Sequence, residues 1–204
     1  MLQPNVSTVD GTFNHTFLPV DLSLTPHSVL IGIFPGRGQV TWRDWYTHDA
    51  VEAGSAGQPT KLSAPLGHIN VHIRDGCAIF LHSAPGYTIE ETRQGPYSLL
   101  VSLNGVGTAY GTVYIDDGLS NPPGPSKTLT VTVADGQVRV SLQGDFKITQ
   151  KLEDMTVLGV AKEPTLVTVN GVKMIGWTYA PQQAKLTVPS VGTDLNRPLS
   201  VKWD

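Results

Sequence analysis

Alternating apolar and polar residues recur along most of this chain. The alternation is clearest over residues 68–74, where Ile69, Val71 and Ile73 share one face and polar side chains occupy the other. Such a period of two predicts a half-buried β-strand. The same pattern predicts further strands at residues 97–103, 108–115, 128–133, 138–142, 156–160, 166–169, 185–188 and 199–203.

Turn signals separate these predicted strands. Asn104-Gly105, Asp135-Gly136 and Asn170-Gly171 are the residue pairs that supply positive φ in tight hairpins. Residues 116–127 contain three prolines and are predicted to form a surface loop. Only residues 88–93 are expected to form a helical turn. Many short strands at this spacing predict an all-β fold, an antiparallel β-sandwich.

Composition supports that fold and limits the function classes. Charged residues make up 15% of the chain, whereas Gly (21) and Pro (15) are abundant, a balance that favours short strands and turns over long helices. The net charge of -3 argues against nucleic acid as a partner. No apolar run approaches the roughly 20 residues that span a bilayer, so no membrane is expected, and the first residues do not resemble a signal peptide. The single cysteine, Cys77, excludes an internal disulfide and is predicted to be buried.

Three segments carry a family resemblance: FPGRGQVTWRDWYT (34–47), APLGHINVHIRDG (64–76) and YGTVYIDDG (110–118). Each resembles the region that follows the catalytic barrel in glycoside hydrolase family 31, the α-glucosidases, most closely the fungal members. The resemblance implies a partial proximal C-terminal β-domain at 1–90, followed by a distal C-terminal β-sandwich at 91–204. It also implies a secreted parent enzyme whose catalytic aspartates lie in the barrel, upstream of this chain.

The resemblance is interrupted between Gly11 and Ile33. In the family a strand ending like Val9-Asp10-Gly11 passes almost directly into the Phe34-Pro35-Gly36 turn, but here residues 12–32 intervene. We interpret this segment as a gene-model artefact such as translated intron, with a genuine surface insertion as the alternative. The resemblance also implies that the first proximal strands are missing, which predicts an exposed sheet edge and self-association through it.

One histidine pair and one aspartate pair are candidate chemical sites. His68 and His72 lie four residues apart, which on a strand separates them by roughly 13 Å and prevents both from binding one zinc ion. Asp116 and Asp117 are adjacent, so on a strand they point to opposite faces, whereas retaining glycosidases bring two carboxyl groups to one site. We expect a turn in which an aspartate accepts backbone N–H bonds. The sequence therefore predicts no catalytic residue, metal or cofactor.

Aromatic residues are the remaining candidates. The resemblance implies a proximal-domain strand at residues 42–47, and its alternation places large aromatics on both faces. Packing is the favoured role, and carbohydrate binding through Trp42, Trp45, Tyr87 or Trp177 is the alternative. Two sequons make Asn5 and Asn14 candidate glycosylation sites.

Three functions follow from these observations. The first is a non-catalytic C-terminal β region that supports the barrel of an α-glucosidase-like enzyme. The second is a free-standing carbohydrate-binding, lectin-like module with α-glucans or other glycans as partners. The third is a structural or interaction protein derived from a gene fragment.

Overall fold

A computed structural model describes residues 29–34, 40–51, 59–65 and 67–204. The sequons at Asn5 and Asn14, and all of the 12–32 segment before residue 29, lie outside the described residues. The described chain divides into two compact units, one ending at Asp75 and one beginning at Gly76. The predicted domain boundary at residues 90/91 stays a prediction about the family's domains.

The first unit contains two short antiparallel strand pairs. Strand β1 (Val29–Ile33) pairs with β3 (Pro59–Ser63), and β2 (Trp42–Asp44) pairs with β4 (His72–Arg74). Phe34, Trp42 and Ile73 are the buried apolar side chains described in this unit.

The second unit is built on one long, curled sheet. Its strands are β5 (Cys77–His82), β6 (Tyr97–Ser102), β7 (Ala109–Ile115), β8 (Lys127–Ala134), β9 (Gln137–Gly144), β10 (Lys151–Leu158), β11 (Val167–Val169), β12 (Val172–Lys173), β13 (Thr178–Ala180), β14 (Lys185–Val188), β15 (Thr193–Asp194) and β16 (Leu199–Trp203). Their order across the sheet is β12-β11-β16-β9-β8-β7-β5-β6-β10-β14-β13, and β15 pairs with β10. The two halves of the sheet enclose one core, because Leu99, Met155 and Leu186 belong to the same buried cluster as Val131, Val140 and Val201. The prediction of an all-β sandwich is confirmed.

Strand pairing in this unit is mixed. Most neighbours are antiparallel, but β6 pairs with β10 in parallel and β5 meets β7 in parallel at Cys77 and Tyr110. Cys77 itself is half-buried, so the prediction that it is buried is wrong. Cys77 is the first residue of β5 and directly follows the Asp75-Gly76 turn, so it is less covered than residues in the middle of the strand.

The single helix of the described residues, α1 (Ile89–Gln94), confirms the predicted helical turn. Thr88 caps it: the Thr88 hydroxyl accepts from the Glu91 amide, and the Glu91 carboxylate accepts from the Thr88 amide. This reciprocal pair is a capping box, which satisfies donors that the helix leaves unpaired.

Two of the three predicted turn pairs are confirmed. Asp135-Gly136 and Asn170-Gly171 have positive φ at both residues, as a two-residue hairpin requires. The turn predicted at Asn104-Gly105 is wrong, because the positive φ in this loop is found at Gly107. The Asn104 side chain accepts from the amides of Val106 and Thr108, so it shapes a longer loop.

Two predicted strands are shorter than the alternation suggested. Residues 68–71 lie outside β4, and Ile69 is 74% exposed instead of facing the core with Ile73. The strand predicted at 42–47 ends at Asp44, since the Asp44 carboxylate accepts from the amides of Tyr46 and Thr47 at 2.7 and 2.8 Å and folds the chain into a turn. Local side-chain hydrogen bonds therefore outcompete the sheet.

Candidate functional site

Trp42 is a packing residue in the first unit. Its side chain is 5% exposed, and its ring lies 5.6 Å from that of Phe34, measured between centroids. A sugar needs an accessible ring face, which this position does not offer. Trp45 is half-buried in the turn after β2. The packing interpretation fits both residues, and sugar binding at Trp45 stays a prediction.

The two candidate metal-binding histidines have different surroundings. His72 is buried, and its ring meets the Phe34 ring edge-on at 4.8 Å. His68 is exposed, and its ring lies 5.1 Å from that of Tyr46. Across the part of the chain that the structure describes, no group of three His, Cys, Asp or Glu residues could hold a metal ion.

The paired aspartates form consecutive turns, as predicted. The Asp116 carboxylate accepts from the Gly118 amide at 2.8 Å, and the Asp117 carboxylate accepts from the amides of Leu119 and Ser120 at 3.0 Å. Asp117 also accepts from the Ser120 hydroxyl. Both carboxylates are thus used within their own loop.

Hydrogen bonding also fixes the charge of Asp117. Donation by the Ser120 hydroxyl, followed by the amides of Leu119 and Ser120, lowers the pKa of Asp117 to about 2. A general acid must be protonated at the working pH, which requires a raised pKa. Asp117 therefore lacks the property that a glycosidase acid needs.

Arg93 ties this loop to helix α1. Its guanidinium Nη2 donates to the Asp116 carbonyl oxygen at 2.7 Å and lies 3.6 Å from the Asp116 carboxylate. We refer to Arg93, residues 116–118 and Ser120 as the DDG anchor. Sequence reasoning missed Arg93, since 23 residues separate it from Asp116 and no periodicity links them.

The two remaining aromatic candidates lie at different places in the second unit. Tyr87 precedes α1 and is fully exposed. Trp177 precedes β13 and packs, half-buried, against the core. These two side chains stay predicted sugar contacts.

A half-buried histidine on β5, His82, is a further titratable group that the sequence did not indicate. The ring of His82 lies 4.6 Å from that of Tyr97 on the neighbouring strand, with an angle of 30° between their planes. Burial, more than the nearby Arg93 charge, lowers the pKa of His82, although a backbone hydrogen bond at Gly95 partly opposes the shift. Burial likewise raises the pKa of Tyr97.

Comparison with known proteins places these features in a family. No family model matches the chain. It is 45% identical over 69% of its length to an α-glucosidase of Aspergillus niger, and 33% identical over 91% of its length to an uncharacterised family 31 glucosidase of Schizosaccharomyces pombe. The chain belongs to glycoside hydrolase family 31.

The family 31 relatives are much longer proteins. The matched segments are 14% of the Aspergillus niger enzyme and 19% of the Schizosaccharomyces pombe protein, and they lie in C-terminal parts of the relatives. The crystal structure of a glucosidase II α subunit shares the fold, with a TM-score of 0.71 and 20% identity over 91% of this chain and 22% of that one. This family 31 chain therefore corresponds to C-terminal β structure. Within its described residues, no helix is long and apolar enough to cross a membrane.

Proposed function

We propose that this chain is the non-catalytic C-terminal β region of an α-glucosidase-like hydrolase and that it supports the enzyme's catalytic barrel. The parent activity is hydrolysis of terminal α-glucosidic bonds, and the parent is secreted. The alignment with C-terminal parts of α-glucosidases carries this proposal.

The internal organisation of the second unit supports a scaffolding role. Residues 76–204 enclose their own apolar core, and the DDG anchor holds an exposed loop to the helix beside it. A surface loop that is already rigid loses little conformational entropy when it contacts a neighbouring domain. Such loops on a packed sheet can therefore support that domain. The same hydrogen bonds occupy the carboxylates that would otherwise suggest catalysis.

Hydrolysis of an aryl α-glucoside by the purified chain tests the non-catalytic half of the proposal. We expect no release of the aryl group above the rate in buffer. As controls, Asp116→Asn and Asp117→Asn should give the same background rate as the unmodified chain. Turnover that either substitution abolishes would overturn the proposal, because it would assign a catalytic carboxylate to this chain.

A further inference from the structure

An uncharged surface covers the outer side of β7 and β8. Its members are hydroxyl-bearing side chains that alternate with core residues along both strands: Tyr110, Thr112, Tyr114, Thr128, Thr130 and Thr132. We call this surface the tyrosine–threonine face. The register pairs Tyr110 with Thr132, Thr112 with Thr130, and Tyr114 with Thr128, so the six side chains form three adjacent rows.

Strand alternation fixes the direction of these side chains. Leu129 and Val131 are fully buried on the opposite side of β8. On β7, a Cβ at Gly111 would collide with the Ala78 carbonyl oxygen, so that side of the strand is in close contact with β5. Neighbouring residues on a strand point to opposite faces, and the six hydroxyl-bearing residues therefore face outward.

The face combines aromatic rings with hydroxyl groups. Its two tyrosines are 44% and 47% exposed, at Tyr110 and Tyr114 respectively, and each offers an apolar ring with a polar hydroxyl tip. None of the six side chains carries a charge. The polar character continues onto β9, where Gln143 lies opposite Thr128, Ser141 opposite Thr130 and the charged Arg139 opposite Thr132.

These groups match a neutral, polyhydroxylated ligand. Aromatic rings pack against the C–H face of a pyranose, and Thr, Ser and Gln side chains both donate and accept hydrogen bonds from sugar hydroxyls. The six residues themselves offer no counter-charge to a charged ligand, and the guanidinium of the neighbouring Arg139 donates to the Gln137 side chain. An apolar protein surface would leave their hydroxyl groups without partners.

We propose that the tyrosine–threonine face binds a linear α-glucan, with Tyr110 and Tyr114 stacking on two different sugar units. The rings are four residues apart on one strand, which separates them by about 13 Å. That distance exceeds one pyranose ring, so the face selects an oligosaccharide over a monosaccharide. The choice of an α-glucan rests on the α-glucosidase function proposed above. The presence of the tyrosine–threonine face does not depend on that function.

Titration of the full chain with maltoheptaose, and in parallel with glucose, tests this proposal by calorimetry. We expect saturable binding of maltoheptaose only. Tyr110→Ala and Tyr114→Ala should each weaken binding about tenfold, a usual loss for a stacking residue. Tyr110→Phe and Tyr114→Phe keep the rings and should retain most of the affinity.

Two further variants, one control and one test, separate a specific loss of binding from a general loss of structure. Tyr46→Ala removes a comparably exposed tyrosine, 55% exposed, from the turn after β2 in the first unit and should leave binding unchanged. Thr130→Val preserves side-chain shape and strand preference but removes a central hydroxyl, so it should weaken binding while circular dichroism stays that of the unmodified chain.

Absence of saturation with maltoheptaose would overturn the proposal. So would Ala variants that bind maltoheptaose as tightly as the unmodified chain, or glucose binding as tight as maltoheptaose binding. Binding of a cello-oligosaccharide but not of maltoheptaose would also overturn it, because the ligand would then not be an α-glucan. Such failures leave support of the barrel untouched, since that role is tested without any glycan bound at this face.

Discussion

The guanidinium of Arg93 donates a 2.7 Å hydrogen bond to the carbonyl oxygen of Asp116 and thereby joins helix α1 to the loop that follows β7. The same guanidinium lies against Gly118, where a Cβ would overlap it. One side chain thus fixes both the position of the loop and the residue type allowed at its turn.

Arg93→Ala should lower the free energy of unfolding by about 1 kcal/mol, because it removes a charge-assisted hydrogen bond that is only partly screened by solvent. Urea unfolding measures the change. Arg197→Ala is the matched control: its pair with Asp194 is 3.9 Å long and largely exposed, so it should change stability by less than about 0.5 kcal/mol. Equal losses in the two variants would show that the DDG anchor has no special role.

Gly118→Ala should destabilise the chain by about 1–2 kcal/mol, since a left-handed backbone disfavours a Cβ. Gly118 has φ of +67°, and the added Cβ would also displace Arg93. Gly105→Ala is the control, because a Cβ there meets nothing within 4 Å. Thermal unfolding of both variants checks the difference. A Gly118→Ala protein as stable as Gly105→Ala would contradict the described loop geometry.

His82 should make stability depend on pH on the acidic side of neutrality. Its pKa is lowered in the folded chain from an ordinary value of 6.5, so the unfolded chain takes up the proton first. This contribution is fully present above pH 6.5 and is lost as the pH falls from there toward the folded pKa.

His82→Phe keeps a ring against Tyr97 and removes the titration. Its stability should therefore fall less steeply than that of the unmodified chain between about pH 7 and about pH 5. Urea unfolding at several pH values measures both slopes. Parallel slopes would mean that His82 does not take part.

Limited proteolysis should cut the first unit, which ends at Asp75, before it cuts the second. The strand pairs of the first unit are short, and only a few buried apolar side chains are described there, whereas the second unit has one continuous core. Sites of low local stability are cut earliest. Mass spectrometry of the early fragments identifies the cleavage positions. Equal resistance along the whole chain would contradict this order.

Much of the fold was predictable because apolar alternation persists in the long strands. The predicted segment 199–203 coincides with β16, and the Asn170-Gly171 turn has the expected backbone. Prediction failed where local or distant side chains decide the structure. The carboxylate of Asp44 accepts a backbone N–H bond that ends β2 early, and the side-chain oxygen of Asn104 accepts one that holds a longer loop.

The candidate site was harder to predict than the fold. The turns at Asp116 and Asp117 follow from their own sequence, since aspartate accepts nearby backbone N–H groups. Their anchor, Arg93, depends on how α1 packs, which no local pattern reveals. The outward direction of Tyr110 and Tyr114 was implicit in strand alternation, but their exposure depends on what covers the sheet.

A chimera measures the supporting role most directly. In the Aspergillus niger α-glucosidase, the segment matched by this chain is either deleted or replaced by the corresponding residues of this chain, and hydrolysis of an aryl α-glucoside and the thermal midpoint are recorded. We predict that the deletion variant loses activity and thermal stability and that the replacement restores both, with KM close to that of the intact enzyme. A deletion variant as active and as thermally stable as the intact enzyme would contradict the proposal that this β region supports the barrel.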